Sequence, residues 1–415
     1  MNCHCRSAIL LAILAIYCVV TRNFDQNNEA QQLTFIFDID KLYWVSDSKP
    51  PQNYKNAFFF NIDNDLTYFP FNKDFGPLNL AMVHRFSREL ARLLKDNNYK
   101  SNRIFHYCTS DKPDKMVNGA FLMGAFMIII FKCTAEKAYS MFRPYHSLFK
   151  PYRDASKGNC LYNCTLLQCL QGLEYAIKFK WYDFKTFNVK EYEFFERVEN
   201  GDVNWIIPGK FMAFMGPIEK RDANQRYGHH PNKYAEIFHR FDVKRVIRLN
   251  EEKYDKRYFT DAGINHNDLF FIDGSTPPDE IVEQFMQVTD EHFAAENPGA
   301  IAIHCKAGLG RTGTLIGLWA MKHFQIPAEP FIGWIRIARP GSILGPQQFY
   351  LPKMEHKYIL TEEAAGKHHV MAKQLESSPV DKHKAMHGET AQADYLIMAK
   401  EMSADKRSPQ KRTSK

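Results

Sequence analysis

Between Gly299 and Phe324 the chain passes from an unbroken apolar strand, AIAIHC, through a loop of small residues, KAGLG, straight into a helix, RTGTLIGLWAMKHF. A strand without polar alternation is buried on both faces, which places it inside a parallel sheet covered by helices. A loop joining the end of such a strand to a helix start turns successive backbone N–H groups inward, and the helix dipole adds positive potential at the same place. The segment therefore calls for an α/β domain with an anion cradle at the strand end. Its surroundings agree. RVIRLN and DLFFIDG read as strands, and PDEIVEQFMQVTDEHFAAE and EPFIGWIRIAR as helices, so the two types alternate beyond Trp205.

The 415 residues allow two or three domains. Residues 1–31 form a leader whose segment from Ala8 to Val20 is an apolar run of thirteen. That is shorter than the ~20 residues a spanning helix needs, but it suits a signal-peptide core. Two readings stand, a targeting or anchoring segment or extra residues with no sorting role, and membrane association is left open. From Leu33 strand-like runs (LTFIFDIDKLYWV, NAFFFNIDNDLTYF) are followed by NLAMVHRFSRELARLLK, which has helical spacing. RIFHYCTSD reads as strand and loop, MVNGAFLMGAFMIIIF as a buried helix, and further helices are expected near 135–142 and 159–179. These make a first domain over 32–190. EYEFFERVENGDVNW, residues 191–205, is acidic and aromatic and reads as a linker with a short helix. The second domain spans 206–360. Beyond it aromatics thin out, and 361–415 reads as a basic, disordered tail.

Composition limits the function classes. With 33 Phe, 20 Tyr and 45% hydrophobic residues the chain can bury large cores. The net charge is +7, but ten Lys/Arg against six Asp/Glu lie in the last fifty residues, so the charge gives no ground for a nucleic-acid groove. Nine cysteines at irregular spacing do not make a disulfide framework. Cys160, Cys164 and Cys169 cluster among Leu, Tyr and Thr as small buried hydrophobes on a helix, with a metal site as the alternative. Reduced cysteines fit a cytosolic or nuclear setting.

The chemistry lies in the loop. Cys305 stands at the strand end, where a helix N-terminus favours the thiolate. Lys306, Ala307, Gly308, Leu309 and Gly310 form the cradle, the glycines permitting its tight path. Arg311, six residues after the cysteine, can bind two oxygens of a phosphate in bidentate fashion. Thr312 can donate its hydroxyl to the sulfur, and His304 braces the loop from behind. A thiolate attacking phosphorus needs an acid for the leaving oxygen. Asp273, thirty-two residues before Cys305 on a loop after a strand, is the candidate. Downstream, Gln347 or Gln348 can orient the hydrolytic water, the alternative being an ordinary helix-capping role. No metal or cofactor is called for.

HCKAGLGRTG, LFFIDGSTP, ENGDVNWIIP, KDFGPLNLAMV and RPGSILGPQQ together resemble the cell-division-cycle-fourteen phosphatases, dual-specificity enzymes of mitotic exit, over about Leu33 to Leu360. The resemblance implies two tandem dual-specificity-phosphatase-like domains, the second catalytic. Cys305, Arg311 and Asp273 fall on the family's nucleophile, clamp and acid. It also implies phosphoprotein substrates of proline-directed kinases, with a preference for phosphoserine-proline followed by a basic residue. The implied setting is nucleus and cytoplasm, with spindle or centrosome, in cell-cycle control. Where the family's last motif usually has three glutamines, this chain has two.

The tandem arrangement has its own trace. RIFHYCTSDKPDKMVNGAFLMG mirrors the strand, loop and helix around Cys305; aligning His106 with His304 puts Tyr107 at the nucleophile and Pro113 at the clamp, with Cys108 one place late. The first domain thus reads as a dead copy that shapes the substrate groove. Glu193, Glu196, Glu199 and Asp202 recur every three residues and would share a helical face that attracts a basic substrate side chain, or be a plain solvated face. Glu193 matches a groove position of the family, and Asp154 is a second candidate. Ser378-Pro and the basic cluster around Ser408-Pro suit proline-directed kinases and nuclear import, or are simply solubilising. A phosphoinositide phosphatase would need a second lysine where Leu309 stands. A phosphopeptide-binding scaffold would lack the nucleophile or the acid, and a membrane-tethered adaptor would rest on the leader alone.

Overall fold

In the computed structural model, which describes residues 34–37, 41–47, 56–109, 111–158, 160–220, 228–359 and 390–407, the chain forms two units. The leader and the Ser378 and Ser408 sites lie outside the described residues. One unit holds the chain up to Thr67 together with Met82–Lys150; the other holds Tyr68–Ala81 and everything from Pro151 on.

The first unit contains β1 (Thr34–Phe37), β2 (Leu42–Asp47), β3 (Ala57–Phe60), α1 (Leu80–Lys95), β4 (Arg103–Thr109), α2 (Pro113–Phe131) and α3 (Ala135–Ser140). Its sheet runs β1-β2-β4-β3, with β1 antiparallel and the rest parallel. α2 opens on Pro113, whose fixed φ suits a first helical turn, and stops where Lys132 turns left-handed at φ 59°. The helix is long and apolar enough to cross a membrane. Met116 to Ile129 are nevertheless all buried, so its apolar surface is that of a core helix.

The second unit contains α4 (Leu166–Lys178), α5 (Val189–Phe195), β5 (Val203–Ile207), β6 (Phe211–Phe214), α6 (Pro231–Arg240), β7 (Val243–Arg248), α7 (Arg257–Thr260), β8 (Asn265–Asp268), α8 (Asp279–Phe293), β9 (Ala300–His304), α9 (Gly310–Phe324), α10 (Ala328–Ala338), α11 (Gln347–Tyr358) and α12 (Thr390–Arg407). The sheet order is β5-β6-β9-β7-β8. β9 is fully buried between β6 and β7, both parallel to it. Its carboxyl end is therefore where an α/β sheet places a ligand. The two sheets share a plan. β4 lies between two parallel strands as β9 does, and His106 is paired with Trp44 and Phe60 as His304 is with Phe214 and Arg248.

Within the second unit, which resumes at Pro151, α4 packs on α10 through glycines: a methyl at Gly172 would lie 2.4 Å from the Pro330 carbonyl, and one at Gly333 2.4 Å from that of Gln168. Several expectations are corrected. The acidic stretch is not one helical face. α5 ends at Phe195, Glu199 sits in a separate short turn, and Asp202 takes a positive φ of 53° before β5. β8 is the polar segment Asn265–Asp268, and the Phe270–Ile272 run lies in the loop after it with both of those side chains exposed. Of the clustered cysteines only Cys169 is helical; its sulfur lies 3.7 Å from that of Cys164, which pairs with Tyr152 before the helix. Part of the segment expected to be disordered is a helix: Ala393, Leu396 and Ala404 recur on one face of α12 and are buried.

Candidate active site

Five carbonyls define the loop after β9. That of Cys305 accepts from His304 Nδ1 at 2.9 Å, and that of Lys306 from the Gly216 amide at 3.0 Å. Those of Ala307 and Gly308 accept from the Arg339 guanidinium at 3.3 and 2.8 Å. That of Leu309 accepts from the Gly313 and Ile343 amides at 3.1 and 3.4 Å. In a trans peptide the N–H points away from the C=O. With the carbonyls of 305–309 all tied to the surrounding protein, the amides of 306–310 face the inside of the loop, beside the start of α9. This is the anion cradle. Gly308 allows it: its φ is +66°, and a methyl there would lie 1.9 Å from the Phe214 carbonyl. Cys305 sits in the cradle, 2% exposed.

His304 is fixed in one tautomer. Burial pushes its imidazole down to about 3, so it is neutral. Nδ1–H donates to the Cys305 carbonyl, so Nε2 accepts the Tyr254 hydroxyl at 2.7 Å. The Tyr254 oxygen in turn lies 2.9 Å from Nε2 of His266, also neutral and pushed down to about 4 by burial. The expected brace is thus a chain of three rings.

Arg311 is fully buried. It donates to the carbonyls of Leu249 (3.2 Å) and Phe271 (2.8 Å) and lies 3.2 Å from Asp273 Oδ1. The irregular segments after β7 and β8 thereby aim the guanidinium and bring Asp273 beside it. Burial pushes the Asp273 carboxyl up, against the pull of Arg311, Lys306 and the amides of Gly274 and Ala393. A raised carboxyl holds its proton to higher pH, as a general acid must. The Thr312 hydroxyl is buried with no hydrogen-bond partner among the described residues. Lys306 reaches Asp394 at 2.6 Å.

The two glutamines part ways. Gln347 lies against the cradle, where a methyl at Gly310 would be 2.7 Å from its Oε1; its amide donates to the Ser275 carbonyl at 3.0 Å. Gln348 faces Arg336, and donates to Asp154 at 2.7 Å. Asp154 itself is buried, with one oxygen on Ser156 and the other on Gly345 N–H and Gln348. Its expected part in gripping substrate is corrected to an internal brace, because both oxygens are taken. Glu196 accepts from Asn79 at 2.9 Å, and Glu193 stands half-buried on α5.

The residue that motif reading passed over is Arg339. Besides the two loop carbonyls it holds Asp202 at 2.8 and 3.2 Å and Asn204 at 2.7 Å. Both belong to the quoted ENGDVNWIIP motif and Arg339 to RPGSILGPQQ, so the signal was an unpaired acid and base in two motifs far apart in the chain.

The arrangement combines a buried thiol in a ring of amides, an arginine in the first turn of the adjoining helix and a carboxyl 3.2 Å from that arginine. Residues 34–176 match the model for "Dual specificity protein phosphatase, N-terminal half", and residues 226–325 that for "Polymorphic toxin system, DSP-PTPase phosphatase". The chain is 48% identical over 318 residues to dual specificity protein phosphatase CDC14A of Homo sapiens, covering 76% of this chain and 52% of that one. It is 42% identical over 327 residues to human CDC14C, covering 79% and 72%. Tyrosine-protein phosphatase cdc-14 of Caenorhabditis elegans is 45% identical over 309 residues, covering 73% of this chain and 43% of the relative. The chain thus spans about half the length of CDC14A. The matches cover both units and the cradle, and the chain belongs to the CDC14 family of dual-specificity protein phosphatases.

Proposed function

We propose that this chain hydrolyses phosphate monoesters on serine, threonine and tyrosine side chains of proteins through a cysteinyl-phosphate intermediate. The observation that carries the reading is the convergence of Cys305, the inward amides of the cradle, Arg311 and Asp273. The Cys305 thiolate attacks phosphorus and the bond to the side-chain oxygen breaks. Asp273 gives that oxygen its proton, while the amides and Arg311 take up charge on the equatorial oxygens. Water held by Gln347 then attacks phosphorus, its proton passes to Asp273, and the P–S bond breaks to return the thiolate. Thr312 offers its hydroxyl to the departing sulfur.

The substrates are phosphoserine-proline segments with a basic residue downstream, and the setting is cell-cycle control in nucleus and cytoplasm. In support, Asp202 accepts a lysine ammonium on both its oxygens. Cys305→Ser is expected to abolish turnover yet keep phosphate binding. Asp273→Ala should slow alkyl phosphates by about 10²–10⁴-fold and aryl phosphates much less, since their leaving groups need little protonation. Equal loss on both substrates removes Asp273 from the acid role.

A further inference from the structure

The last described helix lies on the catalytic loop. Leu396 is buried in a cluster with Ala307, Leu309 and Leu344, and Ala393 joins it. The Ala393 amide donates to the Asp273 carboxylate. Asp394 pairs with Lys306 at 2.6 Å. At the other end Lys400 reaches both oxygens of Asp202, at 2.7 and 2.6 Å. Tyr395 donates to the Phe71 carbonyl, and Lys157 lies 4.2 Å over its ring.

These contacts place a carboxylate on the cradle's lysine, a backbone amide on Asp273, and an ammonium on Asp202 beside Arg339. The order of charge, negative at the cradle and positive further along, is that of a phosphorylated side chain followed by a basic one. The spacing agrees. Six residues of helix at about 1.5 Å each carry Lys400 roughly 9 Å beyond Asp394. Three residues of extended peptide at about 3.3 Å each cover roughly the same distance.

We propose that residues 390–407 are an internal occupant of the substrate site, so that the chain folded in this way is self-occluded and a phosphopeptide must displace α12 to bind. This rests on the phosphatase reading above. Occlusion lowers apparent activity by the fraction of molecules in which the helix is docked.

The test uses the full chain. Leu396→Asp, and separately Asp394→Ala with Lys400→Ala, are compared with wild type on an aryl phosphate and on phosphoserine-proline peptides carrying Lys or Glu three residues downstream. Alkylation of Cys305 by iodoacetamide is followed in parallel by mass spectrometry. Occlusion predicts that kcat/KM and the alkylation rate both rise about tenfold, the scale of one or two partly buried ion pairs. A synthetic peptide of residues 390–407 should then inhibit the double variant. Unchanged turnover and alkylation in folded variants overturn the proposal. Faster alkylation without turnover on any substrate keeps the occlusion and defeats the phosphatase reading. Turnover at the wild-type rate in all three chains does the reverse. The wild type supplies a check that needs no substitution. A non-hydrolysable phosphonate peptide with the downstream Lys, at saturation, should speed hydrogen exchange of the 390–407 amides, and unchanged exchange overturns the proposal.

Discussion

In the proposed reaction Asp273 carries the proton, and its environment sets the pH at which it does so. Burial raises the carboxyl and the cations Arg311 and Lys306 lower it. Removing one cation must therefore raise it further. Lys306→Met is expected to move the alkaline limb of kcat/KM for an alkyl phosphate to higher pH, and Asp273→Asn to erase that limb. A limb that stays in place or moves down in Lys306→Met would assign it to another group. Arg339 acts on the same loop from behind, donating to Gly308, Ala307, Asp202 and Asn204 at once. A lysine keeps the charge but not the planar fork. Arg339→Lys should lose about 1–3 kcal/mol of stability through unmade buried bonds. It should also lose about a hundredfold in kcat as the cradle shifts. Phosphate binding and single-turnover rates measured together separate this from simple unfolding.

Among the elements, the pair α4 and α10 is the most exacting. Gly172 faces the backbone of α10, where a methyl would stand 2.4 Å from the Pro330 carbonyl and 2.5 Å from the Trp334 nitrogen. Neither is the flexible end of a side chain, so the helices must part. Gly172→Ala is expected to cost about 1–3 kcal/mol, as overpacking does, read as a shift in the denaturant midpoint at constant slope. An Ala tolerated without a shift would mean that the helices are held less closely than described. α10 leads directly to Arg339, and its Trp334 donates to the Ile206 carbonyl on β5 at 3.0 Å. Displacing it therefore disturbs the cradle from a distance.

At the scale of the whole molecule, two sheets of one plan carry one site. The counterpart of the cradle in the first unit has Tyr107 where the nucleophile would be and Pro113 opening α2 where the clamp would be. Cys108 is fully buried and burial pushes its thiol well up, so it holds its proton. Cys108→Ser is expected to change turnover by less than about twofold, within the range of ordinary core adjustments, while Cys305→Ser abolishes it. A comparable loss from both on an aryl phosphate would end the reading of the first unit as catalytically silent. Every residue assigned to the site belongs to the second unit, including Asp154, Asp202 and α12.

The sequence alone determined the strand, loop and helix around Cys305 and singled out Cys305, Arg311 and Asp273. Their placement is local: an apolar strand, two glycines and a helix start oriented the amides, and Asp273 follows one strand end as Cys305 follows another. The repeated strand, loop and helix around His106 was legible for the same reason. Only the tertiary structure decided which groups hold that loop in shape. Arg339 and Asp202 are 137 residues apart and meet because β5, β6 and β9 are neighbours, which periodicity does not encode. It separated Gln347 from Gln348, adjacent residues that the turn of α11 sends to different partners. It turned Asp154 inward, packed α4 on α10 through glycine contacts, and placed on the catalytic loop a helix whose sparse apolar positions had read as disorder. Burial of that helix depends on a surface built by residues far from it in the chain, Ala155, Ala307, Leu309 and Leu344, and no local pattern carries that information.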